Sequence, residues 1–397
     1  MNYQPCITFY PFDEGAALHQ EGSHRLWVLN HSSAVLWCLH EEYGTGEQLI
    51  SAYAEHFSLT MEQAQADVQS ALTEFARDGL LSDTEASPRV TSHKSPVTVL
   101  DPPVSGPRSP ASDSLTWNKS YSLAGVTWQI SASEAVAAEA WCSCFRHLEI
   151  NAASTDLGYQ LTAEASGWTL SGSGERIEGL ADNEVLPWLL TLLFAELCAR
   201  QPQKLLLHAA VARRDGRLLM LPGESTFGKS TLAAALATHG WTLYSDELAP
   251  LDTSTLQVAP FTLPVGIKSR SLLALKSCYP QLESHPAHRR ADGQIVRYLG
   301  TPQIALADPT TDQVPVATLI FPRYQPDKPT QLHRLTPLEA LERLTQTGSS
   351  ERPLRPADVD ALLTLAGQRP CWRLDYSDLD EAVEVVGSVT SDQSPAL

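Results

Sequence analysis

Between residues 61 and 75 the apolar positions Met61, Ala64, Val68, Leu72 and Phe75 step by 3, 4, 4 and 3. One stripe at that spacing predicts an amphipathic helix, ending near Gly79. Two helical patterns precede it. Val35, Leu36 and Leu39 follow the cap-type residues Asn30, Ser32 and Ser33, and Leu49, Tyr53 and Phe57 follow Thr45 and Gln48. Ahead of these, short runs at 7–10 and 25–29 predict a small antiparallel hairpin around a Gly-containing turn region. From Thr84 to about Ser114 periodicity disappears among Pro88, Pro96, Pro102, Pro103, Pro107 and Pro110, with serines and threonines between them, which is the composition of a linker. Beyond it, 121–130 and 159–170 read as strands and 185–200 as a helix with Pro187 in its first turn. Apolar strands at 205–212 and 218–221 flank the turn Arg214-Asp215-Gly216, a helix follows from Lys229 to about Thr238, and 241–245 is a further strand. The small polar residues from Gly387 onward read as a loose tail. The expected organisation is therefore a domain over 1–83, a linker over 84–114, a second domain over 115–385 and a tail over 386–397.

The length of 397 residues fits two or three domains at about 150 residues each, and 43% hydrophobic against 19% charged residues is an ordinary globular balance. The formal charge of −18 argues against nucleic acid or an anionic membrane as the general partner. It is concentrated: residues 1–83 hold twelve acids against Arg25 and Arg77. The opening MNYQPCITFYPFDEG has neither the positive nor the apolar region of an export signal, so the cytoplasm is the expected compartment. The longest apolar segment, 185–199, is broken by Glu196 and falls short of the ~20 residues that span a bilayer. Seven scattered cysteines read as reduced thiols. Cys142, Cys144 and His147 are either a partial metal cluster or small buried thiols on a helix face, and no second pair stands at zinc spacing.

The candidate chemistry lies in Gly223-Glu224-Ser225-Thr226-Phe227-Gly228-Lys229-Ser230, which matches G-x-x-x-x-G-K-[ST] between an apolar strand and a helix. Glycines at both ends permit a turn whose N–H groups point at phosphate oxygens, and the following helix N-terminus adds partial positive charge. In this arrangement Gly223 through Thr231 hold ATP, Lys229 reaches the β and γ phosphates, and the Ser230 hydroxyl ligates Mg2+. The next strand ends in Ser245-Asp246-Glu247, which presents two carboxylates where α/β sheets place catalytic groups. One can hold magnesium while the other faces an acceptor hydroxyl; a solvated loop is the plain alternative.

The run LLLHAAVARRDGRLLMLPGESTFGKSTLAAALATHGWTLYSDELAPL, residues 205–251, resembles the catalytic core of HPr kinase/phosphorylases, most closely their HPr-kinase-related relatives. His208 precedes Gly223 by 15 residues and Asp246 follows it by 23, close to that family's spacing. The resemblance implies an α/β P-loop catalytic domain with a mixed sheet, with Asp246 as catalytic base, Glu247 as a metal-binding acid and His208 near the phosphates. Among leucines, His208 can equally be a core residue. Past Glu247 the acidic signature of true HPr kinases is not evident. In its place stand Gly266-Ile267-Lys268-Ser269-Arg270, whose cations face phosphates or simply solvent.

Residues 5–82, with LNHSSAVLWCLHEEYGTGEQLISAYAEHF and ADVQSALTEFARDGLL, resemble a PqqD-like domain, a winged-helix-like α+β element that recognises the leaders of ribosomally made, modified peptides. In that family the leader adds a strand beside the third β-strand and lies along the third helix. The matching positions are Arg25, Trp27 and Leu29, and Asp67, Val68, Leu72 and Phe75. The two resemblances together imply an ATP-dependent kinase that grips a precursor peptide and phosphorylates one of its hydroxyls. The alternatives are an ATP-binding peptide chaperone and a kinase of a small-molecule acceptor, and a homo-oligomer is left open.

Overall fold

The computed structural model describes residues 7–81, 115–347 and 352–391, apart from Glu21, His24 and Ser225. The expected linker lies outside the described residues. The described residues divide into two compact units, one of residues 7–10, 17–28 and those from 115 onward, the other of 11–16 and 29–81.

The N-terminal elements are β1 (Ile7–Phe12), β2 (Gly15–Gln20), β3 (Leu26–Asn30), α1 (His31–Tyr43), α2 (Glu47–Phe57) and α3 (Met61–Arg77), with the strands in the order β1-β2-β3. β2 occupies the segment expected as a turn region. Ala16, Ala17 and Leu18 are fully buried there, and a strand buried on both faces carries no alternation to betray it. Asn30 Oδ1 accepts the Ser33 N–H at 2.9 Å and so caps α1. Thr60 and Gln63 form a reciprocal capping box on α3. α2 is preceded by Gly46 at φ 123°, not capped by Thr45. In the smaller unit Trp37 meets Phe75 edge to face at 5.6 Å, which places the stripe of α3 in the core.

The larger unit contains β4 (Trp117–Leu123), β5 (Val126–Ala132), α4 (Ala135–Cys142), β6 (Glu149–Ile150), β7 (Leu157–Glu164), β8 (Gly167–Gly172), β9 (Glu175–Leu180) and α5 (Asp182–Ala199). Their sheet runs β6-β4-β5-β7-β8-β9. The single strand expected over 121–130 is two, because Ala124 and Gly125 take positive φ and turn the chain back. α5 packs on β8 and β9 over a core that holds Trp128, Tyr159 and Leu193. Cys142 and Cys144 are buried in the same core, and His147 Nε2 sits 2.7 Å from the Thr262 carbonyl, so all three side chains are engaged in packing or hydrogen bonding.

The chain continues as β10 (Leu205–Arg214), β11 (Arg217–Pro222), α6 (Lys229–Thr238), β12 (Thr242–Ser245), β13 (Leu248–Asp252), β14 (Gln257–Val258), β15 (Val265–Lys268), β16 (His288–Arg289), β17 (Ile295–Leu299), β18 (Val314–Tyr324), β19 (Gln331–Arg334), α7 (Pro337–Gln346), α8 (Pro356–Gln368), β20 (Cys371–Tyr376) and α9 (Leu379–Ser391). β11, β18 and β20 run parallel, so their carboxyl ends share one edge, and Tyr324 stands opposite Tyr376 there. On the other side of β11 the antiparallel β10 pairs with β12 through its second half and with β13 through its first. β15, β17 and β16 form a separate small sheet. α6 and α9 pack together over a core of Leu232, Leu236, Val383 and Val386. α9 also carries the first part of the expected tail: residues 386–391 are helical. The reason lies outside the local sequence, since Val386 is buried and Arg214 and Arg217 donate to the Gly387 and Thr390 carbonyls that end the helix.

Candidate functional site

β11 ends at Pro222 and α6 begins at Lys229, so the Gly223–Gly228 segment is a strand-to-helix turn. Gly228 takes φ 92° directly before α6, and Thr226 takes φ 88°. A Cβ on Gly228 would collide with the Tyr376 hydroxyl, which itself donates to the Gly228 carbonyl at 3.4 Å. The loop is tied to the neighbouring strand end as well: the Tyr324 N–H donates to the Phe227 carbonyl at 3.2 Å. Glycine is thus required at this position by both conformation and space.

Lys229 is buried, and its ammonium donates to the carbonyls of Gly223 at 2.6 Å and Glu224 at 3.0 Å. Burial pulls it down to about 8, against the opposing influence of Glu247 and Asp246. Ser230 is half-buried, and the Thr231 hydroxyl donates to Ser271 Oγ at 2.8 Å, joining α6 to the segment after β15. Ser225 lies outside the described residues.

At the end of β12 the Ser245 hydroxyl accepts the N–H groups of Glu247 at 3.2 Å and Leu248 at 2.9 Å and folds the chain sharply. That turn separates the two carboxylates. Asp246 points into a buried position, 8% exposed, where it accepts the Gly266 N–H. Burial, reinforced by the neighbouring Glu247 charge, pushes it up to about 8. Glu247 remains open to the cleft, and its Oε1 lies 3.4 Å from His208 Nε2 on β10. Desolvation works to raise Glu247, but His208, Lys229 and Arg290 outweigh it and hold the carboxyl below its ordinary range. Two adjacent acids are thereby driven apart, one toward the protonated form and one toward the charged form.

These groups line one cleft of about 740 Å³: Thr226, Gly228, Lys229, Ser230 and Thr231 come from the loop and α6, and His208, Asp246 and Glu247 from β10 and the β12 turn. Gly223 is buried, Glu224 exposed and Phe227 half-buried, and their backbone shapes the loop while their side chains do not line the cleft. Lys268, Arg270 and Arg290 line it too. Lys268 is held below its ordinary value by burial and by the like charges of Arg270 and Arg290. A second wall is Tyr324, Tyr376, Asp378 and Asp380, at the carboxyl ends of β18 and β20. Sequence reasoning noted Lys268 and Arg270 but missed Arg290 and this second wall.

The candidate peptide-binding positions divide differently. Arg25 is exposed, Trp27 half-buried and Leu29 buried. In the smaller unit Asp67 is exposed and lines a cleft of about 460 Å³ with Ser32, Tyr53, Phe57 and Glu74. Val68 and Phe75 are 3% and 4% exposed, so they hold α3 in the core and their side chains do not form its outer face, while Leu72 is half-buried. The apolar stripe of α3 marks what packs inward, so the positions that the PqqD resemblance implied at Val68 and Phe75 supply packing, and Asp67 supplies the exposed face.

Residues 14–81 match the family model of coenzyme PQQ synthesis protein D (PqqD). No curated protein matches the chain. No helix among the described residues is long and apolar enough to cross a membrane.

Proposed function

We propose that the chain is an ATP-dependent kinase that recognises a ribosomally made precursor peptide through its PqqD-like region and phosphorylates a hydroxyl of that peptide. The observation that carries the reading is that Thr226, Gly228, Lys229, Ser230 and Thr231, from the strand-to-helix turn and the start of α6, line one cleft with the buried Asp246. The donor set fits a nucleotide with magnesium: a strand-to-helix turn, a buried ammonium, the Ser230 hydroxyl and the Glu247 carboxylate. Ser230 and Glu247 would hold the metal, which when bound neutralises charge on the phosphates. Asp246 receives the proton of the acceptor hydroxyl as its oxygen bonds to the γ-phosphorus and the bond to the bridging oxygen of ADP breaks. Its raised affinity for a proton suits a general base working near neutral pH. His208 holds Glu247 in place across β10. The match of residues 14–81 to PqqD supports peptide recognition by that region, and its surplus of carboxylates suits a leader carrying lysines or arginines.

Titration calorimetry of ATP with Mg2+ tests the nucleotide half of this reading. Lys229→Met should remove most of the affinity, and Asp246→Asn should retain it while phosphoryl transfer falls by ~10²-fold or more. Unchanged ATP affinity in Lys229→Met contradicts the assignment of the loop.

A further inference from the structure

Two parts of the cleft lining differ in chemistry. Lys229, Lys268, Arg270 and Arg290 line it together with the acids of the β12 turn, whereas the wall at the ends of β18 and β20 carries aromatic rings and the carboxylates Asp378 and Asp380. Tyr324 is 48% exposed, a large ring left open beside the loop. It is braced: its backbone N–H is bonded to Phe227, and its ring stands edge to face with the buried Tyr376 ring at 5.8 Å and 71°. The N-terminus of α9, which lies on this wall, is already satisfied by Asp378 Oδ1 accepting the Glu381 N–H at 2.9 Å, so it offers no anion site there. A ligand matched to both parts is anionic at one and flat, aromatic and hydroxyl-bearing at the other.

We infer that Tyr324 is the stacking platform for the base of the nucleotide, with the ribose hydroxyls toward Asp378 and the phosphates running across Gly228 to Lys229. This rests on the reading of Gly223–Thr231 as a phosphate site and adds the polarity of the bound nucleotide: base over the β18–β20 edge, γ-phosphate toward Asp246. A braced ring loses little freedom on stacking, and every purine or pyrimidine has a face to offer it, so the contact strengthens nucleotide binding with weak preference among bases.

The test compares ATP, GTP and inorganic triphosphate, each with Mg2+, by titration calorimetry on the full chain and on Tyr324→Ala, Tyr324→Leu and Tyr324→Phe. Loss of stacking in the Ala and Leu variants should weaken ATP and GTP by about fivefold to a hundredfold. Triphosphate affinity should stay within about twofold, and Tyr324→Phe should bind ATP like the parent, because the ring and not the hydroxyl supplies the contact. Circular dichroism of each variant checks that the fold is retained. If the parent binds triphosphate and Tyr324→Ala and Tyr324→Leu bind ATP as tightly as the parent, or if they lose triphosphate and ATP in equal proportion, the base platform is overturned while the phosphate loop stands. If the parent binds neither ATP nor triphosphate, the phosphate loop falls and the platform with it.

Discussion

Replacing Gly228 by alanine should destabilise the larger unit strongly, and the size of the effect follows from two separate terms. The backbone at φ 92° lies outside what L-residues adopt easily, which costs about 1–2 kcal/mol. The added methyl meets the Tyr376 hydroxyl well inside contact distance, and Tyr376 is 2% exposed and packed in the core beside α6. Overpacking of this kind costs about 1–3 kcal/mol, for a total of roughly 2–5 kcal/mol. Gly223 is the internal control. Its backbone is not in the left-handed region, and a Cβ there meets the Lys229 stem at 3.6 Å and the Phe227 ring at 4.0 Å, both ordinary contacts, so Gly223→Ala should unfold within about 0.5 kcal/mol of the parent. The assay is urea unfolding of both variants and of Gly228→Ala combined with Tyr376→Phe, which removes the colliding oxygen and should recover about 1 kcal/mol. Gly228→Ala as stable as the parent, or no recovery in the double variant, would refute the steric argument.

Asp246→Asn should raise the thermal midpoint at neutral pH while lowering transfer by ~10²-fold or more. A carboxyl pushed up to about 8 from 3.8 contributes stability in its protonated form below about pH 4, and that contribution is lost as pH rises through 8, so the gain in the variant should grow over that window and vanish in acid. In the parent, transfer should rise with pH toward 8 as Asp246 deprotonates, read from a pH–rate profile. Asp358 works in the opposite sense. Burial would raise it, but Arg352 and Arg355 grip the fully buried carboxylate and hold it at about 2, so its contribution of about 2 kcal/mol is present above pH 4 and lost as pH falls through 2. Asp358→Ala removes the carboxylate held by both guanidinium groups, which keep their bonds to the Pro202, Lys204 and Gln203 carbonyls, and should cost about 2–3 kcal/mol in urea unfolding at pH 7. In the smaller unit, Asp67→Lys with Glu74→Lys reverses the charge of the cleft they line, and should weaken a cationic leader by about tenfold in fluorescence anisotropy without changing ATP affinity.

The placement of the loop and of the acid turn was legible because each is a run of contiguous residues: Gly223 to Ser230 sits between strand and helix, and Ser245-Asp246-Glu247 ends a strand. The second wall was not, since Tyr324 and Tyr376 become neighbours only through parallel pairing of β18 with β20. Arg290 follows the two-residue strand β16 and reaches the cleft through the small β15-β17-β16 sheet, whose elements are too short to show a period. β2 escaped because a strand buried on both faces has no polar side to alternate with, whereas the apolar stripe of α3 was legible and its Val68 and Phe75 are buried as a stripe predicts.

The central claim is phosphoryl transfer to a tethered peptide. The most direct measurement incubates the full chain with γ-labelled ATP, Mg2+ and a precursor peptide bearing a basic leader, and follows label onto the peptide. A labelled phosphate ester on a hydroxyl side chain is expected, absent with Lys229→Met, formed ~10²-fold or more slowly with Asp246→Asn, and slowed at low peptide concentration when Asp67 and Glu74 are reversed. Label released only as inorganic phosphate, or a peptide bound and left unlabelled while ATP is consumed, would contradict it and make the chain an ATP-driven peptide binder.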